Sequence, residues 1–185
     1  DQVGHERNQT DYDFFVKTMD TIHVPRFYTA GNHDQSGVNN QSNVKTDDPR
    51  FGYGLYLDYL GPLRWSFNYA GYHFVGIDYT TPNGNEKKWF QWVPESALKW
   101  LAKDVQFVKK DTPIFLFTHS IDSGVSTRFN KIIQRMFVGH GHQDNTFYAD
   151  DNKDGIRVLE SGSMGLTYAD RKPGYRIVEV GKDYL

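Results

Sequence analysis

The sequence predicts an α/β fold in which helices alternate with strands and some neighbouring strands form antiparallel hairpins. Three observations predict it: apolar residues recur at helical spacing, short apolar runs precede polar loops, and two alternating segments flank Ala70-Gly71. The 185 residues are long enough to bury a substantial core. Because we find no internal repeat and no low-complexity linker, residues 1–185 are expected to form a single domain.

Composition and charge exclude several classes of protein. Hydrophobic residues make up 38% of the chain and charged residues 24%, which is ordinary globular usage and argues against disorder. The net charge of -2 lacks the basic excess that would attract nucleic acid or anionic lipid over a broad area. There is no cysteine, so a disulfide framework and a thiolate metal site are both excluded. No apolar run approaches the ~20 residues that a membrane-spanning helix requires.

The N-terminal third is predicted to contain a helix, a strand and a long loop. Apolar residues at helical spacing predict a helix over about residues 11–22. Residues 25–29 are predicted to form a short buried strand that runs directly into Gly31-Asn32-His33-Asp34. The polar stretch 35–50 is rich in Asn, Asp, Ser and Gly, so we expect a surface loop there.

The middle of the chain is predicted to contain a hairpin, a helix and a strand. Residues 65–69 and 72–77 alternate between apolar and polar side chains, which predicts an antiparallel hairpin. An amphipathic helix is predicted over about 95–109. Residues 113–118 are predicted to form a fully buried strand, and His119 falls at its end.

The C-terminal third brings a second helix and several short strands. A helix over about 126–135 is predicted to lead into the short strand 136–138, which is followed by Gly139-His140-Gly141-His142. Further short β segments are predicted at 146–148, 156–159 and 175–180. Three predicted strands therefore each end in a loop with polar or imidazole side chains, and ligand sites in α/β folds favour such carboxyl ends of strands.

These loops contain residue types that bind metals. Asn32, His119, His140 and His142 all follow predicted strands. An amide oxygen and imidazole nitrogens are good neutral ligands for Mn, Fe or Zn ions. The glycines beside His140 are expected to adopt positive φ and to let one tight turn present both rings. Each motif alone fits an ordinary surface loop or turn. Their joint occurrence after strands predicts a metal site.

Two other sequence features resemble functional motifs, but we favour an interpretation without a functional role for each. Residues 150–155 partly fit a calcium-binding loop, but Ser161 occupies the twelfth position, where Glu is expected, so a hairpin turn is favoured. Ser120 and Ser161 have no evident triad partners, so a serine hydrolase is not predicted.

The order and rough spacing of these motifs resemble those of the calcineurin-like metallophosphoesterases. Gly31 to Asp34 resembles the third element of the family pattern, His119 the fourth and Gly139 to His142 the last. Asp1-Gln2-Val3-Gly4 resembles the second element, with Gly in place of its second Asp. The first element, Asp-x-His, is absent, and the domain is expected to lack the family's first strand. Because the chain opens on Asp1 rather than Met, we expect further sequence upstream.

The resemblance implies a fold and a metal centre. The fold would be two packed mixed β-sheets flanked by helices, a four-layer αββα sandwich that is N-terminally incomplete. Two Mn, Fe or Zn ions would be expected, or one alone in this chain. One ion would be held by Asn32, His119, His140 and Asp1. His142 and Asp1 would serve the other ion, whose remaining ligands are missing.

The resemblance also implies a reaction on a small-molecule phosphoester. Two ions ~3.5–4 Å apart would activate a water for attack on a phosphate mono- or diester. His33 resembles the general acid that protonates the leaving oxygen, and Asp34 would orient it. His5 and Arg128 are weaker candidates for binding the substrate phosphate.

Two alternatives to this enzyme remain open. The first alternative is a metal- or phosphate-binding module without turnover, or an inactive fragment. The missing Asp-x-His ligands favour it. A nuclease ranks lower because the slightly acidic chain lacks a Lys/Arg-rich track for a nucleic-acid backbone.

Overall fold

The computed structural model of the chain describes residues 8–86, 88–149, 155–163 and 173–181. These residues form helices and a mixed sheet, together with a smaller two-stranded sheet, which confirms the predicted α/β class with mixed sheets flanked by helices. The helices are α1 (Gln9–Met19), α2 (Gly54–Leu60), α3 (Glu95–Asp104) and α4 (Ser123–Phe129). The strands are β1 (Trp65–Tyr69), β2 (Tyr72–Gly76), β3 (Thr80–Asn83), β4 (Lys88–Gln91), β5 (Ile114–Phe117), β6 (Ile133–Val138), β7 (Asn145–Tyr148) and β8 (Arg157–Glu160). Within the described part of the chain, no helix has the length and apolarity needed to cross a membrane.

The large sheet is parallel at its centre and antiparallel at both edges. Its strand order is β1-β2-β5-β6-β8-β7, and β2, β5, β6 and β8 run parallel to their central neighbours. The edge strands β1 and β7 are antiparallel to β2 and β8. The carboxyl ends of four strands therefore meet along one edge of the sheet, which is where α/β folds place their ligand sites.

One face of this sheet packs against α3 and α4. Val75, Leu116, Met136 and Val158, one from each parallel strand, are fully buried in the same apolar cluster as residues of both helices. Full burial of such a side chain contributes ~1.5–3 kcal/mol. Because side chains alternate across a strand, the intervening residues lie on the other face. There Phe67 stacks on Phe74 and on Phe27, and Phe117 stacks on Phe137, so this second face is aromatic.

The hairpin β1–β2 confirms the prediction made from residues 65–69 and 72–77. Its turn residues Ala70 and Gly71 both have positive φ, 51° and 88°, as a tight two-residue hairpin turn requires. The predicted strands at 113–118 and 156–159 are also present, as β5 and β8.

Several predicted elements differ in the structure. The strand predicted over 25–29 is not formed, because no strand in the described residues pairs with it; its backbone instead accepts a hydrogen bond from the Trp65 indole at Tyr28. The helix predicted over 126–135 starts earlier, since Asp122 accepts hydrogen bonds from the backbone N–H groups of Gly124 and Val125. It also ends at Phe129, and residues 133–135 belong to β6 instead. Residues 173–181, which include the predicted 175–180 segment, have no strand assigned.

The stretch 35–50 is not a simple surface loop. Its first residues, Gln35 to Val38, are buried, and Ser36 exchanges two backbone hydrogen bonds with Gly52. The Gln35 amide donates to the buried hydroxyl of Thr80 at 2.7 Å. The start of the loop therefore forms part of the packed support beneath Gly31-Asn32-His33-Asp34, and the β3–β4 hairpin begins at the same support.

Candidate functional site

The Gly31–Asp34 segment is one turn of 3-10 helix closed by its own carboxylate. Asp34 Oδ2 accepts a hydrogen bond from the Gly31 N–H at 2.8 Å. The Tyr12 hydroxyl donates to the Asp34 carbonyl at 2.8 Å, which joins the turn to α1. Asn32, only 3% exposed, is therefore presented from a turn that is restrained on both sides.

The two histidine loops are joined through their backbones. The Gly139 N–H donates to the His119 carbonyl at 3.0 Å, so the loop after β6 lies against the loop after β5. His140 and His142 have φ of 62° and 55°, a region that costs a residue with a Cβ ~1–3 kcal/mol. The positive φ angles expected at Gly139 and Gly141 are thus found at the histidines. A Cβ on Gly141 would meet the Glu160 carboxylate, so a larger residue there would displace the end of that side chain.

Three predicted metal ligands converge on one point. His119 Nε2 lies 2.7 Å from Asn32 Oδ1 and 3.0 Å from His140 Nδ1. The His119 and His140 ring centroids are 4.8 Å apart with the planes tilted by 67°. Three side chains from three separate loops thus bring polar atoms together at His119 Nε2, although Asn32 and His119 are 87 residues apart in the chain.

The electrostatics of the cluster keep its imidazoles neutral. Burial is the largest cause that lowers the pKa of His119, to about 3. Repulsion from the neighbouring imidazoles of His140, His33 and His142 contributes to the same shift. Burial also lowers the pKa of His140, repulsion from His142 lowers it further, and the Glu160 carboxylate opposes both effects. A metal ligand must be the neutral imidazole, so these shifts leave both rings ready to bind a cation at neutral pH.

The chemistry of these donors fits one metal ion. His119 Nε2 carries at most one proton, which it can donate to Asn32 or to His140, whereas a cation could bind all three atoms at once. Donor atoms bound at right angles ~2.1 Å from one ion lie roughly 3.0 Å apart, close to the separations seen here. Among the described residues no group of three or more His, Cys, Asp or Glu side chains is placed to hold a metal. The described cluster therefore consists of two imidazoles and an amide.

The other predicted site residues are placed as follows. His33 is close enough to His119 to lower its pKa, and its ring centroid is 5.5 Å from that of Trp89. His142 lines a cleft of about 470 Å³ beside the cluster. Arg128 lies on α4, where both carboxylate oxygens of Glu95 are 3.0 Å from its Nη1, so its charge is already paired at the surface. Asp1 and His5 lie outside the described residues.

Three further residues near the predicted site were not identified from the sequence: Tyr79 and Glu160 border the cluster, and Trp89 lies beside His33. Tyr79 follows β2, and its ring centroid lies 6.1 Å from that of His119 and 6.5 Å from that of His140. Glu160 ends β8 beside the turn that carries His140. Tyr79 and Glu160 lie at the ends of parallel strands, and this position could have identified them as site residues from the sequence. Trp89 had none, because the β3–β4 hairpin that carries it was not predicted.

Comparisons with known proteins show a likeness of fold. No family model matches the chain, and no curated protein matches it. Its fold is similar to that of a purple acid phosphatase isolated from yellow lupin (Lupinus luteus) seeds, with a TM-score of 0.54 at 13% sequence identity. The match covers 83% of this chain and 34% of the lupin protein, so the chain spans about a third of that protein. The chain therefore shares the α/β fold of a phosphatase at low sequence identity.

Proposed function

We propose that the chain hydrolyses phosphate mono- or diesters of small molecules with the help of metal held by Asn32, His119 and His140. The observation that carries this proposal is that Asn32 Oδ1 and His140 Nδ1 lie 2.7 and 3.0 Å from His119 Nε2. The fold shared with a purple acid phosphatase supports the same reaction class. A metal bound here would supply Lewis-acid activation of the phosphate and of the attacking water.

In the proposed reaction, the chain's own residues position the ester and move one proton. Water adds to phosphorus and loses a proton to solvent, and the phosphorus–oxygen bond to the leaving group breaks. Protonated His33 gives its ring proton to the departing oxygen and regains one from solvent. Asp34 holds the turn that carries His33 through its hydrogen bond to Gly31. We assign His142 and Asp1 to a second ion, and His5 is a further candidate for phosphate binding. Arg128 is a weaker one because of its pairing with Glu95.

A second candidate function is metal or phosphate binding without turnover. One observation favours it: the described residues supply donors for one ion but contain no carboxylate-rich group that would hold a second. Metal content separates the two candidates. About one ion per chain with no hydrolysis would favour the binding module, whereas two ions with turnover would favour the enzyme.

The decisive experiment is a metal-dependent assay with two esters. We expect metal-stripped protein to be inactive, and added Mn²⁺, Fe²⁺ or Zn²⁺ to restore release of p-nitrophenol from p-nitrophenyl phosphate or from its bis-ester. Comparing the two esters distinguishes a phosphatase from a phosphodiesterase. His119→Ala should abolish the restored activity, and His33→Ala should lower kcat by ~10²–10⁴-fold. A protein fully loaded with metal that cleaves neither ester would refute the proposal.

A further inference from the structure

We propose that Trp89 is a platform for the organic part of the substrate, and that the leaving group it selects is a planar aromatic alcohol. This inference rests on the proposed function, because it concerns the side of the substrate that would face His33. The indole of Trp89 lies with its centroid 5.5 Å from that of the His33 imidazole, and the two planes are tilted by 58°. Trp89 is only half-buried, so part of its ring surface is accessible to a ligand.

The position of Trp89 relative to His33 is set by a buried hydrogen-bond network. The hairpin β3–β4 begins at Thr80, which is 1% exposed and whose hydroxyl accepts from the Gln35 amide at 2.7 Å. The Tyr53 hydroxyl hydrogen-bonds the Thr80 side chain and carbonyl and also donates to the Gly31 carbonyl at 3.4 Å. One tyrosine therefore joins the base of the hairpin to the turn that carries His33.

Packing around Pro82 and Trp89 restrains the β3–β4 hairpin beyond Thr80. Pro82 pairs with Trp89 across the two strands. A Cβ on Gly52 would lie 2.9 Å from the Pro82 ring, so the hairpin is in close contact with the segment that pairs with Ser36. Pairing and packing of this kind keep the indole near His33 before a ligand arrives, which lowers the entropic cost of binding.

The chemistry of the leaving group follows from this geometry. A general acid must lie within ~2.6–3.2 Å of the oxygen that it protonates, so the leaving oxygen must bind beside His33. A ring attached to that oxygen on the Trp89 side of His33 can come within the ~4.5–7 Å centroid distance at which aromatic rings interact favourably. An aromatic ring would gain this contact with Trp89, whereas a flexible alkyl chain would gain only general apolar contact.

The test compares binding of two non-hydrolysable ligands to the metal-loaded protein. Phenylphosphonate and n-butylphosphonate have the same phosphonate head and differ in the organic group. We expect the wild-type protein to bind phenylphosphonate roughly three- to tenfold more tightly than n-butylphosphonate, as expected for one aromatic contact. Trp89→Ala should remove this preference, and Trp89→Phe should retain most of it. Isothermal titration calorimetry measures the affinities of both ligands for each of the three proteins.

Trp92→Ala is the matched control. Trp92 follows β4, is 49% exposed and stacks on Phe90, so its removal should leave the preference unchanged. Equal affinities in the wild-type protein, or an equal loss for both ligands in Trp89→Ala and Trp89→Phe, would overturn the proposal, because Trp89 would then only position His33. A phenyl preference that depends on Trp89 in a protein that cleaves no ester would support the platform and refute the hydrolase instead.

Discussion

Gly31 lies directly against the imidazole of His119: a Cβ built on Gly31 would come within 2.7 Å of two ring atoms. The two residues are on different loops: Gly31 directly precedes Asn32, and His119 lies at the centre of the cluster that we assign to metal binding. The absence of a side chain at position 31 is therefore what allows His119 to approach Asn32. A glycine in the middle of a polar turn thus has a steric role that its conformational freedom does not explain.

The first prediction concerns this contact. Gly31→Ala should displace the His119 ring by a few tenths of an ångström or more, destabilise the protein by about 1–3 kcal/mol and weaken metal binding at least roughly tenfold. Gly174→Ala is the control, since a Cβ there meets nothing within 4 Å and should alter neither quantity. Urea unfolding and metal titration by calorimetry measure the two effects. Unchanged metal affinity in Gly31→Ala would contradict the assignment of His119 as a ligand.

The second prediction separates the two histidines of one turn. His140 Nδ1 lies 3.0 Å from His119 Nε2, so His140→Ala should weaken binding of the first ion by more than ~10-fold. His142→Ala should leave binding of that ion within about twofold, because His142 is not one of the three converging donors. Competition with a chromophoric chelator reports both affinities. Equal losses in the two variants would show that the rings bind one ion together.

The third prediction distinguishes a structural histidine from the ligands. His73 is 4% exposed, and its ring nitrogens lie 2.9 Å from Asn68 Oδ1 and 2.7 Å from Asp104 Oδ2. Its removal leaves buried polar partners unsatisfied, so His73→Ala should lower the free energy of unfolding by ~1–3 kcal/mol. Metal affinity should not change, because these bonds join α3 to the β1–β2 hairpin. A variant of normal stability with weakened metal binding would refute this role.

The fourth prediction is a pH dependence of the metal-free protein. Folding lowers the pKa of His119 from 6.5 to about 3, so between these values the unfolded chain binds a proton that the folded chain does not. The stability associated with neutral His119 is thus complete above pH 6.5 and is lost as the pH falls toward 3, at up to ~1.4 kcal/mol per pH unit. His119→Gln should show a shallower decline in urea unfolding across this range. Identical slopes in the two proteins would contradict the assigned cause.

The elements that sequence analysis predicted correctly are those in which local pattern and tertiary packing agree. The alternation in 65–69 and 72–77 predicted the hairpin correctly. The two strands are joined by Ala70-Gly71, which can adopt the positive φ angles of a two-residue hairpin turn. The run 113–118 became β5 because its apolar residues are buried at the centre of the sheet. The hairpin strands are adjacent in the chain, and a run as apolar as 113–118 is stable only when it is buried.

The elements that were wrong depended on partners that a local pattern does not contain. Residues 25–29 have the composition of a buried strand, but a strand needs a hydrogen-bonded neighbour, and the described residues provide none. The β3–β4 hairpin includes Pro82 and a polar tip, so its strands are too irregular to be recognised by alternation. The predicted conformation of the histidine turn was also wrong, since the positive φ angles lie at His140 and His142 rather than at Gly139 and Gly141.

The sequence by itself determined the α/β class, the residue types of the site and the order in which they follow the strands, because strand burial and ligand chemistry depend on side-chain identity. Only the tertiary structure decided that Asn32 and His119 meet, and that Trp89 stands beside His33. Those contacts join residues far apart in the chain, and their distances depend on sheet order and on close packing at Gly31 and Thr80. Neither sheet order nor close packing can be obtained from the periodicity of a single segment, since each is a property of several segments packed together.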